Sequence, residues 1–468
     1  MRLKLPAGIT NSAGTHVVYP LPGPTVKEFV GTMDYDGAMP RLVLISIDGL
    51  AHFYWTDPAA RMPVLRSLAE RGAVADGMAT VFISTTWPSH VSLVTGVGPR
   101  THGVVANHIL HRATGRPEDF TGDPVYDAAD LVWAPTIYDR AHAAGLRTAA
   151  IDWPATRRAA SLDFNLPFFK NQQVFEAHTA PAVWAELAAL GYPVERQGEW
   201  AELPRRFLKD AMVADLAIDV LRRHTPDLLL LHFLCADSHQ HLYGPRSPEA
   251  YWAIAYIDGL VGRVLAALGA DGLDQSAVVV VSDHGFLPVT REIRPNVRLR
   301  RRGLLRLDAA GGVAAAEARF VMNHGAGWVY TAGDGDRARL ARDLRGELAG
   351  LEGVSAVWTP DEYAGLGLPT PEENPRAGDL LLEAEPGYFM VDQATGEDEH
   401  APPRYRGTHG QRPHHADNHA MFVAAGRGIR RGVTLGSITS RDVAPTLATL
   451  LALPPAPAEG RALTEILA

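Results

Sequence analysis

The chain has 468 residues, 46% hydrophobic and 21% charged, with a formal net charge of −9; that length allows a large core or two domains, and those proportions exclude disordered and fibrous classes. The acidic balance gives no global attraction to nucleic acid or anionic lipid, so neither stable nucleic-acid binding nor membrane association is expected, and partners are set by local sites. A single cysteine, Cys235, excludes an intrachain disulfide, and with no signal-like apolar run near the start and none of bilayer length elsewhere, a cytoplasmic protein is expected.

Residues 1–40 are rich in Gly, Pro and Thr and carry no sustained period. They read as an N-terminal arm that packs on the core or on a neighbouring subunit, a route to an oligomer. From Arg41 the sequence becomes RLVLISIDGL, a continuous apolar run that suits a strand covered on both faces. Met62 to Arg71 then reads as an amphipathic helix stopped at Gly72. The alternation recurs, with strands at Ala149 to Asp152 after the helical Thr136 to Ala144, at Leu228 to Leu234 after Arg205 to Arg223, and at Ala277 to Ser282 after Pro248 to Leu268. This predicts an α/β fold, a mostly parallel central sheet sandwiched by helices. Three strands end in or lead into an aspartate, Asp48, Asp237 and Asp283, where an open α/β sheet places its ligands.

After Gly285 the alternation breaks down. Residues 286–404 hold a basic helix-like run, NVRLRRRGLLRLD, a Gly/Ala-rich hairpin-like stretch, a helix around Asp336 to Ala349 and a Pro-rich passage from Pro369 to Pro375. They are expected to form an inserted α+β cap. The arginines from Arg298 to Arg306 read as a solvated helix face in preference to a phosphate patch. His419 to Ala425 reads as another core strand and Asp442 to Leu451 as a closing helix, so the core spans 41–285 and 405–468.

Within the stretch Val81 to Asn107, Thr86 lies two residues before Pro88 and just ahead of the apolar-periodic Val91, Leu93 and Val94. Proline is tolerated in a first helical turn, so Thr86 falls at a helix N-terminus. Free N–H groups and the helix dipole there favour an anionic oxygen or a phosphate. Four short clusters stand out elsewhere: ISIDG with Asp48, ADSHQH with Asp237 and His241, VSDHG with Asp283 and His284, and GTHG with His409. An aspartate four residues from a histidine can put both on one ion, and this donor mixture suits zinc, with manganese or iron as alternatives.

Taken in order, ISIDG, TTWPSH, HGVVAN, DSHQH, VSDHG and GTHG resemble the motifs of the type I phosphodiesterase and nucleotide pyrophosphatase branch of the alkaline phosphatase superfamily. The resemblance covers about Arg41 to Gly285 and Arg406 to the C-terminus. It implies an alkaline phosphatase-like core with two divalent ions, zinc foremost. One would be held by Asp237, His241 and His409, the other by Asp48, Asp283, His284 and the oxygen of Thr86. It also implies Thr86 as nucleophile and Asn107 as hydrogen-bond donor to a phosphate oxygen. Thr85 is the rival nucleophile, disfavoured by its spacing to Pro88 and His90. His90 and His102 read as structural, as do His414, His415 and His419, which crowd His409 and would replace it under a shifted register.

The expected reaction is metal-dependent hydrolysis of phosphodiester or phosphoanhydride bonds through a phosphothreonine, two displacements giving net retention at phosphorus. A bound zinc can lower the pKa of a threonine hydroxyl, and two ions about 4 Å apart stabilise both the entering and the leaving oxygen. Three aspartates against two dications leave +1, which a Thr86 alkoxide cancels, so a monoanionic diester enters without strong repulsion. No arginine adjoins the nucleophile motif to clamp a dianionic monoester; Arg100 lies in the following loop. The chain departs from the family pattern at Ser89, where the family has asparagine, and at two substrate-facing candidates. Trp87 stands where phenylalanine often lies beside the leaving-group pocket, and reads equally as a core tryptophan, and His232 stands where nucleotide-cleaving relatives have a base-stacking tyrosine. The substrate is therefore expected among small-molecule phosphodiesters, pyrophosphates and phosphonates. The competing readings are a phosphonoacetate-type phosphonate hydrolase and a non-catalytic metal-binding scaffold.

Overall fold

The computed structural model describes residues 42–122, 126–332 and 337–468; the expected arm at 1–40, and with it any oligomer contact, lies outside them. In chain order the central sheet is built from β1 (Leu42–Ile47), β2 (Gly72–Ala75), β3 (Thr148–Trp153), β4 (Phe164–Pro167), β5 (Leu228–Phe233), β6 (Ala277–Val281), β7 (Phe422–Gly426) and β8 (Val433–Leu435). Their spatial order is β8-β2-β7-β6-β1-β5-β3-β4. All neighbours run parallel except β7, which is antiparallel to both β2 and β6.

Alternate side chains of a strand point to opposite faces, and here both faces are covered, which is why the central strands are apolar throughout. Val43, Ile45, Leu229, Leu231, Val278 and Val280 enter one core, packed by α1 (Pro63–Glu70), α4 (Arg206–Arg223) and α6 (Pro248–Ala267). Leu42, Leu44, Leu228, Leu230, Val279 and Val281 enter the other, packed by α2 (Thr86–Thr95), α3 (Ile137–Ala143) and α7 (Val443–Leu450). The strands and helices fall within one or two residues of their expected bounds, except that the strand expected from His419 begins at Phe422. Thr136, for instance, caps α3: its hydroxyl accepts from Asp139 N–H at 3.1 Å, and the Asp139 carboxylate accepts from Thr136 N–H at 2.9 Å. Among the described residues α6 is the one helix long and apolar enough to cross a membrane by length and composition. In the fold it buries Ile254, Ile257, Val261 and Val264 against the sheet.

Within 286–404 an antiparallel sheet forms in the order Ala318–Asn323, Ala326–Thr331, Leu380–Ala384, Val354–Trp358. Phe320, Leu344, Leu348 and Leu382 make a core of its own. A second cluster joins Val321, Trp328 and Tyr363 to Trp87, Val91 and Val104 of the α2 region. The basic run forms a helix, Pro295–Arg301, and its arginines are neutralised by glutamates: Arg298 and Arg301 pair with Glu399 at 2.5 and 3.2 Å, and Arg300 with Glu397 at 3.0 Å. This is the charged, solvated face expected of it.

Candidate active site

β1 and β6 are adjacent and parallel, so the residues that follow them emerge at one end of the sheet, Asp48 from one and Asp283 with His284 from the other. β5, on the other side of β1, runs into α5 (Cys235–Tyr243), where Asp237 and His241 are one helical turn apart on one face. Gly49 makes the convergence sterically feasible. It has φ +69°, and a Cβ there would lie 2.9 Å from the Phe286 ring and 3.2 Å from Asp237 Cα. Its N–H donates to Asp283 Oδ1 at 3.1 Å and its carbonyl accepts from Gln240 Nε2 at 2.8 Å, which ties the three strand ends together.

The six expected protein ligands outside the α2 loop lie in one buried cluster. His241 Nε2 is 3.1 Å from Asp237 Oδ1, and His409 Nε2 is 3.7 Å from the same oxygen. His284 Nε2 lies 3.4 Å from Asp48 Oδ1 and 3.2 Å from Asp283 Oδ2. The His284 and His409 rings stack at 3.6 Å, which brings the two halves into contact. In each histidine Nδ1 faces a backbone carbonyl: Gly407 for His241 at 2.9 Å, Gly285 for His284 at 3.1 Å, Ser84 for His409 at 2.9 Å. Nδ1 must donate there, so Nε2 carries the lone pair, the arrangement that orients an imidazole for a metal.

In the neutral ring the lone pair of Nε2 therefore confronts carboxylate oxygens, acceptor against acceptor unless a proton or a cation lies between them. Asp48 Oδ1, Asp237 Oδ1, Asp283 Oδ2 and His284 Nε2 are all buried without a hydrogen-bond partner. Burial, reinforced by Asp237, pushes the Asp48 carboxyl up, and burial with Asp48 does the same to Asp283. Burial also lowers His284 to about 4 and drives His409 down, so a proton held at Asp48 and Asp283 sits on the carboxyls and not on the imidazoles, and a bound cation would displace it. Bound cations would satisfy every orphaned atom at once, and this mixed carboxylate and imidazole set fits zinc.

Two cations of the chain adjoin the cluster, and neither was expected. Arg206 Nη1 donates to Asp237 Oδ2 at 3.1 Å and its Nε to Ala201 O at 3.0 Å. Burial opposes ionisation of Asp237, but the positive charge facing it, from His241 when protonated and from Arg206, outweighs burial and holds the carboxyl low; a cation at His241 Nε2 would take that proton's place. Lys209 pairs with Asp152 at 2.7 Å, both buried. The sequence signal was present: Arg206, Lys209 and Asp210 fall in phase with Val213, Leu216, Ala217 and Val220 on the buried stripe of α4, where a charge needs a partner. Arg206 is thus an arginine at the site, supplied from outside the nucleophile motif and committed to Asp237.

Thr86 is the first residue of α2 and keeps slight exposure, 7%, whereas Thr85, the residue before the helix, is at 0%. The loop ahead of Thr86 is tied to the His409 loop, because Ser84 Oγ donates to Gln411 O at 2.7 Å and accepts from Asn418 Nδ2 at 2.7 Å. Asn107 Oδ1 accepts from Trp87 N–H at 2.8 Å, next to Thr86, so its Nδ2 is the end left for donation. His90 stands one turn along α2, its Nδ1 2.8 Å from Thr86 O and 3.6 Å from Asp283 Oδ2. His102 packs on Ser92 Oγ at 2.9 Å, as a structural residue does. His414 and His415 group with Glu383 and His419 bonds Pro413 O, whereas His409 groups with Asp237 and His284.

The two substrate-facing expectations are corrected. Trp87 is only 1% exposed and packs its ring on Phe168 at 5.4 Å, so it lies in the core beneath the site with no open face for stacking. His232 is wholly buried, its Nδ1 3.0 Å from Asp152 O and its Nε2 3.3 Å from Asp48 Oδ2. It stands in β5, whose side chains point into the protein, and it supports Asp48 from behind.

A family model described as type I phosphodiesterase / nucleotide pyrophosphatase matches residues 42–412. An uncharacterized pyrophosphatase/phosphodiesterase of Schizosaccharomyces pombe is 25% identical over 282 residues, 58% of this chain and 49% of its own. Human ectonucleotide pyrophosphatase/phosphodiesterase family member 1 is 25% identical over 53% of this chain and 24% of its own, and mouse bis(5'-adenosyl)-triphosphatase enpp4 is 25% identical over 54% and 48%. The matched region thus spans a quarter to a half of those relatives. Among solved structures, murine ectonucleotide pyrophosphatase / phosphodiesterase 5 superposes with TM-score 0.67 at 22% identity, covering 92% of this chain and all of that one. An inactive form of that murine protein is known in complex with AMP. At this identity the likeness establishes the alkaline phosphatase-like α/β fold.

Proposed function

This chain belongs to the type I phosphodiesterase / nucleotide pyrophosphatase family, and from that premise we propose that it is a metal-dependent hydrolase of phosphodiester or phosphoanhydride bonds, with Thr86 as nucleophile and two zinc ions as cofactors. One observation carries the reading: Asp48, Asp237 and Asp283 converge with His241, His284 and His409 in one buried cluster, in which an oxygen of each carboxylate and His284 Nε2 have no hydrogen-bond partner. Asp237, His241 and His409 would hold one ion, and Asp48, Asp283 and His284, with Thr86, the other. When bound, the ions supply positive charge for a threonine alkoxide and for the entering and departing oxygens of an in-line displacement.

The chain's own groups do the rest. The Thr86 oxygen attacks phosphorus, forming the O–P bond as the bond to the leaving oxygen breaks, and water then hydrolyses the phosphothreonine with release of phosphate or its monoester. Asn107 Nδ2 donates to a phosphate oxygen, held in place by the Trp87 N–H on its other end. The names of the relatives, a triphosphatase and nucleotide pyrophosphatases, and the AMP complex of a structural neighbour support small phosphate esters or anhydrides as the substrate class.

The test compares zinc-loaded wild type with Thr86→Ala on bis(p-nitrophenyl) phosphate and p-nitrophenyl phosphate. Faster turnover of the diester is expected, with loss on mutation of at least about a thousandfold, as for other nucleophile deletions. Equal or faster turnover of the monoester contradicts the diesterase assignment.

A further inference from the structure

The hairpin that joins Ala318–Asn323 to Ala326–Thr331 carries a side chain not used above. Its turn is His324–Gly325, with Asn323 paired to Ala326. Two-residue hairpins place positive φ at the first central position, which glycine, asparagine or aspartate normally fills. Here the position is a histidine at φ 64°. An unfavourable backbone held by its surroundings points to a use for the side chain.

The surroundings do hold it. Gly325 N–H donates to His409 O at 2.7 Å, and Met390 N–H donates to His324 O at 3.0 Å. Gly410, at φ +102°, approaches so closely that a Cβ there would stand 2.5 Å from Asn323 O. The imidazole so fixed stacks on His241 with centroids 4.9 Å apart and planes at 22°, and faces His409 at 4.3 Å. One ring nitrogen from each of His241, His324 and His409 lies within 4.8 Å of the others. His324 Nδ1 is buried without a hydrogen-bond partner, whereas the other two rings spend theirs on carbonyls.

We propose that His324 is a further protein ligand of the ion held by Asp237, His241 and His409, an inference that rests on the two-ion reading above. Three imidazoles and one carboxylate form a set that suits zinc and disfavours magnesium or calcium, which take oxygen donors. The ligand comes from the 286–404 segment, so this segment is part of the metal centre as well as a neighbour of it. A fourth protein ligand also takes the coordination position that a catalytic zinc usually leaves open, which makes His324 the group that an incoming substrate oxygen competes with.

The test measures metal content, zinc affinity by chelator competition and the visible spectrum of the cobalt-substituted protein, for wild type, His324→Gly and His324→Asn. Both replacements tolerate the turn's positive φ, so the metal-free variants are expected to melt no lower than the metal-free wild type. The expected result is two ions per wild-type chain, a ten- to hundredfold weaker affinity for one of them in both variants, and altered cobalt bands. Two ions in the wild type with unchanged affinity and bands in both variants overturns the proposal alone. Fewer than two ions in the wild type overturns the two-ion reading and the proposal with it.

Discussion

An imidazole whose Nδ1–H is engaged by a carbonyl has only Nε2 to offer, and at this site three such rings offer it toward carboxylate oxygens. His241 and His284 were legible in the sequence because each sits in a short Asp/His motif after a core strand, and His409 because GTHG resembles a family motif. What the motifs could not convey is direction. Trp87 and His232 were placed at the correct distance along the chain from the nucleophile and from Asp237, but their side chains point into the core and behind Asp48. The role proposed for Asn107 predicts that Asn107→Ala lowers kcat by about 10²–10³, the usual loss for one donor to a developing anion; an unchanged kcat contradicts it. Asp210 gives a pH test on a group that is not itself a metal ligand. It is buried, accepts from the N–H groups of Leu234 and Cys235, and burial pushes its carboxyl up to about 7. A carboxyl raised on folding contributes stability that is whole below about pH 4, its unfolded value, and is lost as pH rises through about 7. Asp210→Asn, which keeps an accepting oxygen, should therefore gain on wild type by up to about 1.4 kcal/mol per pH unit across that window. Urea denaturation at stepped pH reads the difference, and a constant difference contradicts the assignment.

At the level of elements, the strands and helices of the core were legible because their periods are unmixed: runs apolar on both faces for β1, β5 and β6, and helical stripes between them. The direction of β7 was not legible, because a short apolar strand reads the same parallel or antiparallel, and only its partners β2 and β6 decide. Helix α4 carries a signal of another kind. Its charges lie on its buried stripe, and each has found a partner, Arg206 with Asp237 and Lys209 with Asp152. Lys209→Met leaves Asp152 buried and unpaired and should cost about 3–5 kcal/mol in urea unfolding, while replacing both partners with apolar residues should cost much less. Equal losses in the single and double variants would contradict the pairing.

At the level of the whole molecule, the open end of the parallel sheet gathers ligands from positions as far apart in sequence as Asp48 and His409, and folding brings three carboxylates together with, among the described residues, no side-chain cation paired to Asp283. The fold should therefore depend on its ions. Metal at a thousandfold excess over Kd contributes about 4 kcal/mol, so chelation should lower the melting temperature by several degrees, and zinc should restore it; calorimetry with and without chelator reads this directly. The most direct measurement is anomalous diffraction at the zinc edge from zinc-loaded crystals. The account requires two peaks, one bounded by Asp237, His241 and His409 and the other by Asp48, Asp283 and His284 with the Thr86 oxygen against it. A single peak, or peaks away from these side chains, would contradict it.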